Sequence, residues 1–198
     1  LLPALLLAAG ALSPLAAHAA AADLNDCCSA GDKDFPKVGG SLGNQNYTQL
    51  RQLNKGLLTA GKLGAAWVNR IEGGLTTGTN QSTTVVVDGV IYIESALGNV
   101  VAVDGKTGAT KWKWTTPHGG ITRRGVAVAK DLGLVFTLAR GNRLIALDKD
   151  TGVEKWTKAY PTVTTDPGWV GNVEKVALVY HDKRLYIGTN DGNRGAAL

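Results

Sequence analysis

The chain has 198 residues, a formal net charge of +5 and 26 glycines. That length is enough for one ordinary domain with a sizeable core. The charges are dispersed, with Lys111, Lys113, Arg123 and Arg124 the densest cluster, so interleaved strand faces account for them and no nucleic-acid partner is expected.

In chain order, Leu1-Leu2-Pro3-Ala4-Leu5-Leu6-Leu7 opens an apolar run that ends in small residues, and Ala17-His18-Ala19 fits an A-x-A cleavage site. Residues 1–22 are therefore expected to be a secretory signal peptide with a clipped start, since the sequence contains no Met. Pro3 and Pro14 interrupt the run and argue against a membrane span. Cys27 and Cys28 follow. An adjacent pair can close a vicinal disulfide, bridge other chains or stay as two incidental thiols. Residues 23–82 form an N-terminal segment. In it Tyr47–Asn54 reads as a short amphipathic turn or helix with Thr48 as N-cap, and Ala65–Ile71 alternates like a strand.

From residue 83 one unit repeats. Val101-Ala102-Val103-Asp104-Gly105-Lys106-Thr107-Gly108 leads to Trp112, and Ile145-Ala146-Leu147-Asp148-Lys149-Asp150-Thr151-Gly152 leads to Trp156; the offset is 44 residues throughout. A third copy starts at Val176 and runs through Leu185-Tyr186-Ile187-Gly188. Each unit reads as four short strands separated by Asp-Gly, Gly-Asn and Thr-Gly turns. Such a unit buries its faces only by stacking on its neighbours. The spacing predicts an all-β chain, a β-propeller of four-stranded antiparallel blades. Two blades fall at residues 83–114 and 126–157 and part of a third from 174, within residues 83–198. The Trp after each Thr-Gly is expected to pack between blades.

Asp-x-x-Thr-Gly followed by Trp resembles the tryptophan-docking repeat of the quinoprotein dehydrogenases. The opening residues Gly39-Gly40, Asn44, Tyr47, Leu50, Gln52-Leu53-Asn54, Leu63 and Trp67 resemble that family too, as does Arg124-Gly125-Val126-Ala127-Val128. The resemblance implies an eight-bladed parent that binds pyrroloquinoline quinone with a calcium or lanthanide ion, and Ala65–Ile71 as the outer strand of its last blade. It also implies a periplasmic enzyme oxidising an alcohol, polyol or aldose, with a cytochrome or membrane quinone as electron acceptor. The fragment itself would be inactive. Carried over by position, Gln81 stands where the family has a quinone-bonding Glu, Arg124 matches the Arg near the quinone carbonyls, and Glu174 replaces a third-blade Thr or Ser. Asp191 or Asn190 falls where a metal-binding Glu belongs. The adjacent cysteines that many members carry before the Arg are replaced by His118-Gly119-Gly120-Ile121-Thr122. A non-catalytic scaffold propeller of the cell envelope is the alternative, because similar blades serve both purposes.

Overall fold

A computed structural model describes residues 33–40, 43, 44, 46–71, 80–159, 176–189, 196 and 197. The first sheet is β1 (Val85–Val87), β2 (Val90–Glu94), β3 (Asn99–Asp104) and β4 (Thr110–Thr115), hydrogen-bonded in chain order and antiparallel. β-Branched residues supply β1, and the Asp88-Gly89 turn that follows needs positive φ at both positions, which these residues have at 51° and 74°. That turn fixes the register Val87↔Val90 and Val85↔Tyr92.

The second sheet repeats this plan with β5 (Ala127–Ala129), β6 (Leu134–Ala139), β7 (Arg143–Asp148) and β8 (Glu154–Ala159). Even the irregularity recurs: the register slips between Ala102 and Val103 and again between Ala146 and Leu147. The exception is the first turn, where a single 3-10 turn (Lys130–Leu132) closed by Gly133 at φ 65° replaces Asp-Gly. The third unit is described in part. β9 (Val179–His181) pairs with β10 (Arg184–Tyr186), and β11 (Gly188–Thr189) pairs with β12 (Ala196–Ala197). The architecture is that of a β-propeller with about two to three blades present.

The innermost strands β1, β5 and β9 are successive neighbours. Alternation along β5 splits the core. Val126 and Val128 face the first blade with Val85, Val87 and Tyr92, whereas Ala127 and Ala129 face the third with Leu178 and Ile187.

The repeated motif explains how the blades are joined. Asp104 Oδ1 accepts from the Lys106 and Thr107 backbone N–H groups and from Thr107 Oγ1 at 3.0, 2.8 and 2.9 Å. Asp148 does the same with Asp150 and Thr151. Each turn ends on a glycine in the left-handed region, Gly108 and Gly152, and a tryptophan of the preceding segment lies flat on it. A Cβ on Gly152 would stand 2.5 Å from the Trp112 ring, and one on Gly108 would stand 2.5 Å from Trp67. Trp112 Nε1 donates to Lys149 O at 3.0 Å, and Trp67 Nε1 donates to Gly105 O at the same distance. Burying the Trp112 indole contributes roughly 2–3 kcal/mol.

One expectation needs correction. The short helix lies at α1 (Lys55–Thr59), not over Tyr47–Asn54, and its N-cap is Asn54, whose Oδ1 accepts from Leu57 N at 3.1 Å. Thr48 Oγ1 instead accepts from Leu50 N, two residues on, which closes a local turn rather than starting a helix. Ala65–Arg70 has no ladder partner among the described residues. It is held by side chains: Trp67 as above, and Asn69 Nδ2, which donates to Gly108 O and Thr110 Oγ1 at 2.6 and 3.0 Å. The apolar run at residues 1–22 and the Cys27-Cys28 pair lie outside the described residues.

Candidate functional site

The segments that lead into the innermost strands meet at one end of the blades. Thr83 N donates to Arg124 O at 3.4 Å, joining the approach to β1 to the approach to β5. Thr122 Oγ1 donates to Val176 O at 2.8 Å, joining the approach to β5 to that of the third blade. Gln81 is exposed and Arg124 half-buried, each within two residues of the Thr83–Arg124 contact. Two sequence-predicted site residues are thus carried on neighbouring strands of backbone. Glu174, Asn190 and Asp191 lie outside the described residues.

A further segment lines the free edge of β1. Phe35 and Val86 exchange two backbone hydrogen bonds of 2.7 and 2.9 Å. At one end of this segment Asp34 Oδ1 accepts from Asp88 N, and its other oxygen lies 3.6 Å from Lys130 Nζ. At the other end Val38 reaches Gly125, where an added Cβ would stand 3.0 Å from Thr83 O and 3.8 Å from Val38 Cγ2. Lys37 is buried there, and its ammonium donates to Asn44 Oδ1 at 2.6 Å and Val38 O at 2.7 Å. Burial lowers its pKa.

The residue that the sequence reasoning missed is Glu94, the last of β2. It is completely buried. One carboxyl oxygen accepts from Gly125 N at 2.8 Å and the other from Thr137 Oγ1 at 2.6 Å. The backbone N–H groups of Arg124 and Arg123 also lower its pKa. Arg123 has φ 58° and Gly125 φ 123°, with Arg124 between them outside the positive region. Alternating backbone handedness of this kind turns successive N–H groups to one side, making a concavity for an anion. Burial nonetheless outweighs these hydrogen bonds and pushes the carboxyl up to about 7. The signal was present in the repeat. The ladder pairs Glu94 with Val100 and Leu138 with Leu144, so Glu94 occupies the position of Leu138 one blade earlier. A carboxyl group stands where the next copy has an apolar residue.

Where family members have adjacent cysteines, the loop here carries His118, half-buried, with its backbone N–H donating to Thr116 Oγ1 at 3.1 Å. Gly119 and Gly120 follow at φ 81° and 154°, and Gly120 packs beside Gly98 of the first blade. Among the described residues there is no cluster of three or more His, Cys, Asp or Glu side chains that could hold a metal. Arg124 forms no ion pair with a described residue. A half-buried guanidinium at the head of an inner strand is suited to an anionic group with planar oxygens.

The four-stranded units, the docked tryptophans and the converging inner strands define a quinoprotein-type propeller. The family described as PQQ, glucose/ethanol/alcohol dehydrogenase, β-propeller domain, matches residues 35–157, and the chain belongs to it. It is 35% identical over 132 residues to a quinohemoprotein alcohol dehydrogenase of Comamonas testosteroni, covering 62% of this chain and 18% of the relative. It is 30% identical over 164 residues to a lanthanide-dependent methanol dehydrogenase of Methylacidiphilum fumariolicum, covering 77% and 25%. The crystal structure of the Comamonas testosteroni enzyme matches with a TM-score of 0.64 at 30% identity, over 82% of this chain and 24% of that one. The chain therefore spans about a fifth to a quarter of the length of these relatives. Among the described residues no helix is long and apolar enough to cross a membrane.

Proposed function

We propose that this chain is the N-terminal part of a periplasmic dehydrogenase that oxidises an alcohol, polyol or aldose with pyrroloquinoline quinone and passes the electrons to a cytochrome or membrane quinone. The single observation carrying this reading is the half-buried Arg124 at the head of β5. It is joined through Thr83 to the Gln81 segment and has no carboxylate partner among the described residues. When bound, the quinone supplies the two-electron chemistry, and the chain supplies binding and orientation. Arg124 would meet the negative charge that develops on a quinone oxygen with a fixed cation. Gln81 would add a neutral donor and acceptor in the place of the family's glutamate. Glu174, with Asp191 or Asn190, would provide the oxygen ligands that a calcium or lanthanide ion takes. Residues 1–22 would direct export and be removed. Residues 65–71 would close the ring as the outer strand of the last blade, a role supported by Trp67 docking on Gly108 as Trp112 docks on Gly152. Two to three blades do not surround an axis, so the chain by itself is inactive in this reading.

One departure favours a second reading, a scaffold propeller without redox chemistry. The loop at His118-Gly119-Gly120 lacks the paired cysteines of many family members. Reconstitution separates the two. The full-length protein, mixed with pyrroloquinoline quinone and calcium or a lanthanide, should reduce an artificial electron acceptor when an alcohol is added, and should need both additions. No quinone binding with any of these ions would leave the scaffold reading standing.

A further inference from the structure

The repeat gives position 94 two apolar or small solutions, Leu138 in the second blade and Gly188 in the third, at the same place in the ladder. The blade fold therefore does not require a carboxyl group there. In the first blade it is a glutamate with no exposure, and one of its oxygens accepts from the turn that carries Arg124. That turn is unusual in its own right. Arg123 sits in the left-handed region, which costs a residue with a side chain about 1–2 kcal/mol. The Gly125 N–H donates to the carboxyl at 2.8 Å rather than to a sheet partner. Gly125 is buried, and a buried N–H without an acceptor is expensive, so Glu94 supports this backbone conformation. Thr137 on β6 holds the other oxygen, and Ser82 Oγ accepts from Glu94 N at 3.1 Å. The residue is thus tied by its backbone N–H to the Gln81 segment and by its carboxyl to the second blade.

We propose that Glu94 is a positioning residue whose carboxyl group, seated in the backbone concavity of Arg123–Gly125, sets the direction in which Arg124 presents its guanidinium to an anionic quinone at the inner rim. The inference rests on the reading of Arg124 given above. Glu94 does not touch the cofactor and acts only through the turn.

The test is a double-mutant cycle in the full-length protein, with pyrroloquinoline quinone titrated by fluorescence quenching and hydrogen exchange followed in the peptide spanning residues 121–126. Glu94→Leu should speed exchange in that peptide while the strands of both blades stay protected. It should weaken quinone binding about tenfold or more, since a displacement of about 1 Å is enough for such a loss. In an Arg124→Ala background the same change should weaken binding no further. Glu94→Gln should rescue both properties, because its carbonyl can accept from the turn while its amide donates to a rotated Thr137 hydroxyl. Equal losses from Glu94→Leu in both backgrounds, or unchanged exchange in the turn, would overturn the proposal. If instead Arg124→Ala alone leaves quinone binding intact, it is the reading of Arg124 that fails. Should Glu94→Leu not fold, Glu94→Gln combined with Thr137→Val replaces it under the same criteria.

Discussion

The first two blades are near copies, and their few disagreements are the informative part. Asp104 and Asp148 cap identical turns, Gly108 and Gly152 receive a tryptophan, and the strand irregularity falls at equivalent places. Against that background position 94 is a buried glutamate and position 138 a buried leucine. Positions on which the copies agree build the blade. A position where one copy buries a carboxyl group at a cost the other avoids points to a task beyond folding.

The largest effect should come from breaking what the copies share. Gly152→Ala forces a side chain into the left-handed region at φ 72° and against the Trp112 ring. It should cost about 4 kcal/mol in urea unfolding of the full-length protein. Gly108→Ala should cost about the same if the Trp67 contact is the equivalent of the Trp112 one. A clearly smaller loss would mean that the N-terminal segment is only laid against the blade and not built into it.

Next comes the difference at position 94. The Glu94 carboxyl is raised from an ordinary 4.5 to about 7. The folded protein thus keeps a proton in a pH window where the unfolded chain has lost it. This contribution is fully present below about pH 4.5 and is lost as pH rises through about 7, a fall of about 3 kcal/mol. Stability measured from pH 4.5 to 8 should show that downward slope, and Glu94→Gln should flatten it. The leucine of the second blade offers no such handle.

A smaller effect should come from Trp112→Phe, which puts a smaller aromatic ring in place of the indole and removes the donor to Lys149 O. A loss of about 1 kcal/mol is expected in the same unfolding assay.

The fold was legible because the turn chemistry repeats at a fixed interval. Asp88-Gly89 and Asp-x-x-Thr-Gly can each be satisfied by few backbone conformations, so strands between them were placed to within a few residues. The N-terminal segment was less legible because it carries no repeat. Alternation at Ala65–Ile71 suggested a strand, yet what holds the described part is two side chains reaching the next blade, and such long-range contacts leave no local pattern. Thr48 and Asn54 are both reasonable caps by residue type, and only the hydrogen bonding decided for Asn54. Of the candidate site, Arg124 and Gln81 could be read by resemblance. Glu94 was overlooked because it sits inside an apolar strand, Val90–Glu94, where periodicity alone makes it the strand's polar end. Aligning the copies residue by residue shows it as the exception.

The most direct test of the central claim, that the inner rim near Arg124 receives an anionic quinone, compares two arginine-scale changes in charge. Pyrroloquinoline quinone would be titrated into the full-length protein carrying Arg124→Ala or Lys111→Ala, the latter on the exposed face of β4. Both remove one positive charge. The account predicts a weakening of more than about tenfold for Arg124→Ala, from the loss of charge-assisted hydrogen bonds of about 1.5–3 kcal/mol each, and no more than a slight change for Lys111→Ala. Equal affinities for the two variants would contradict it.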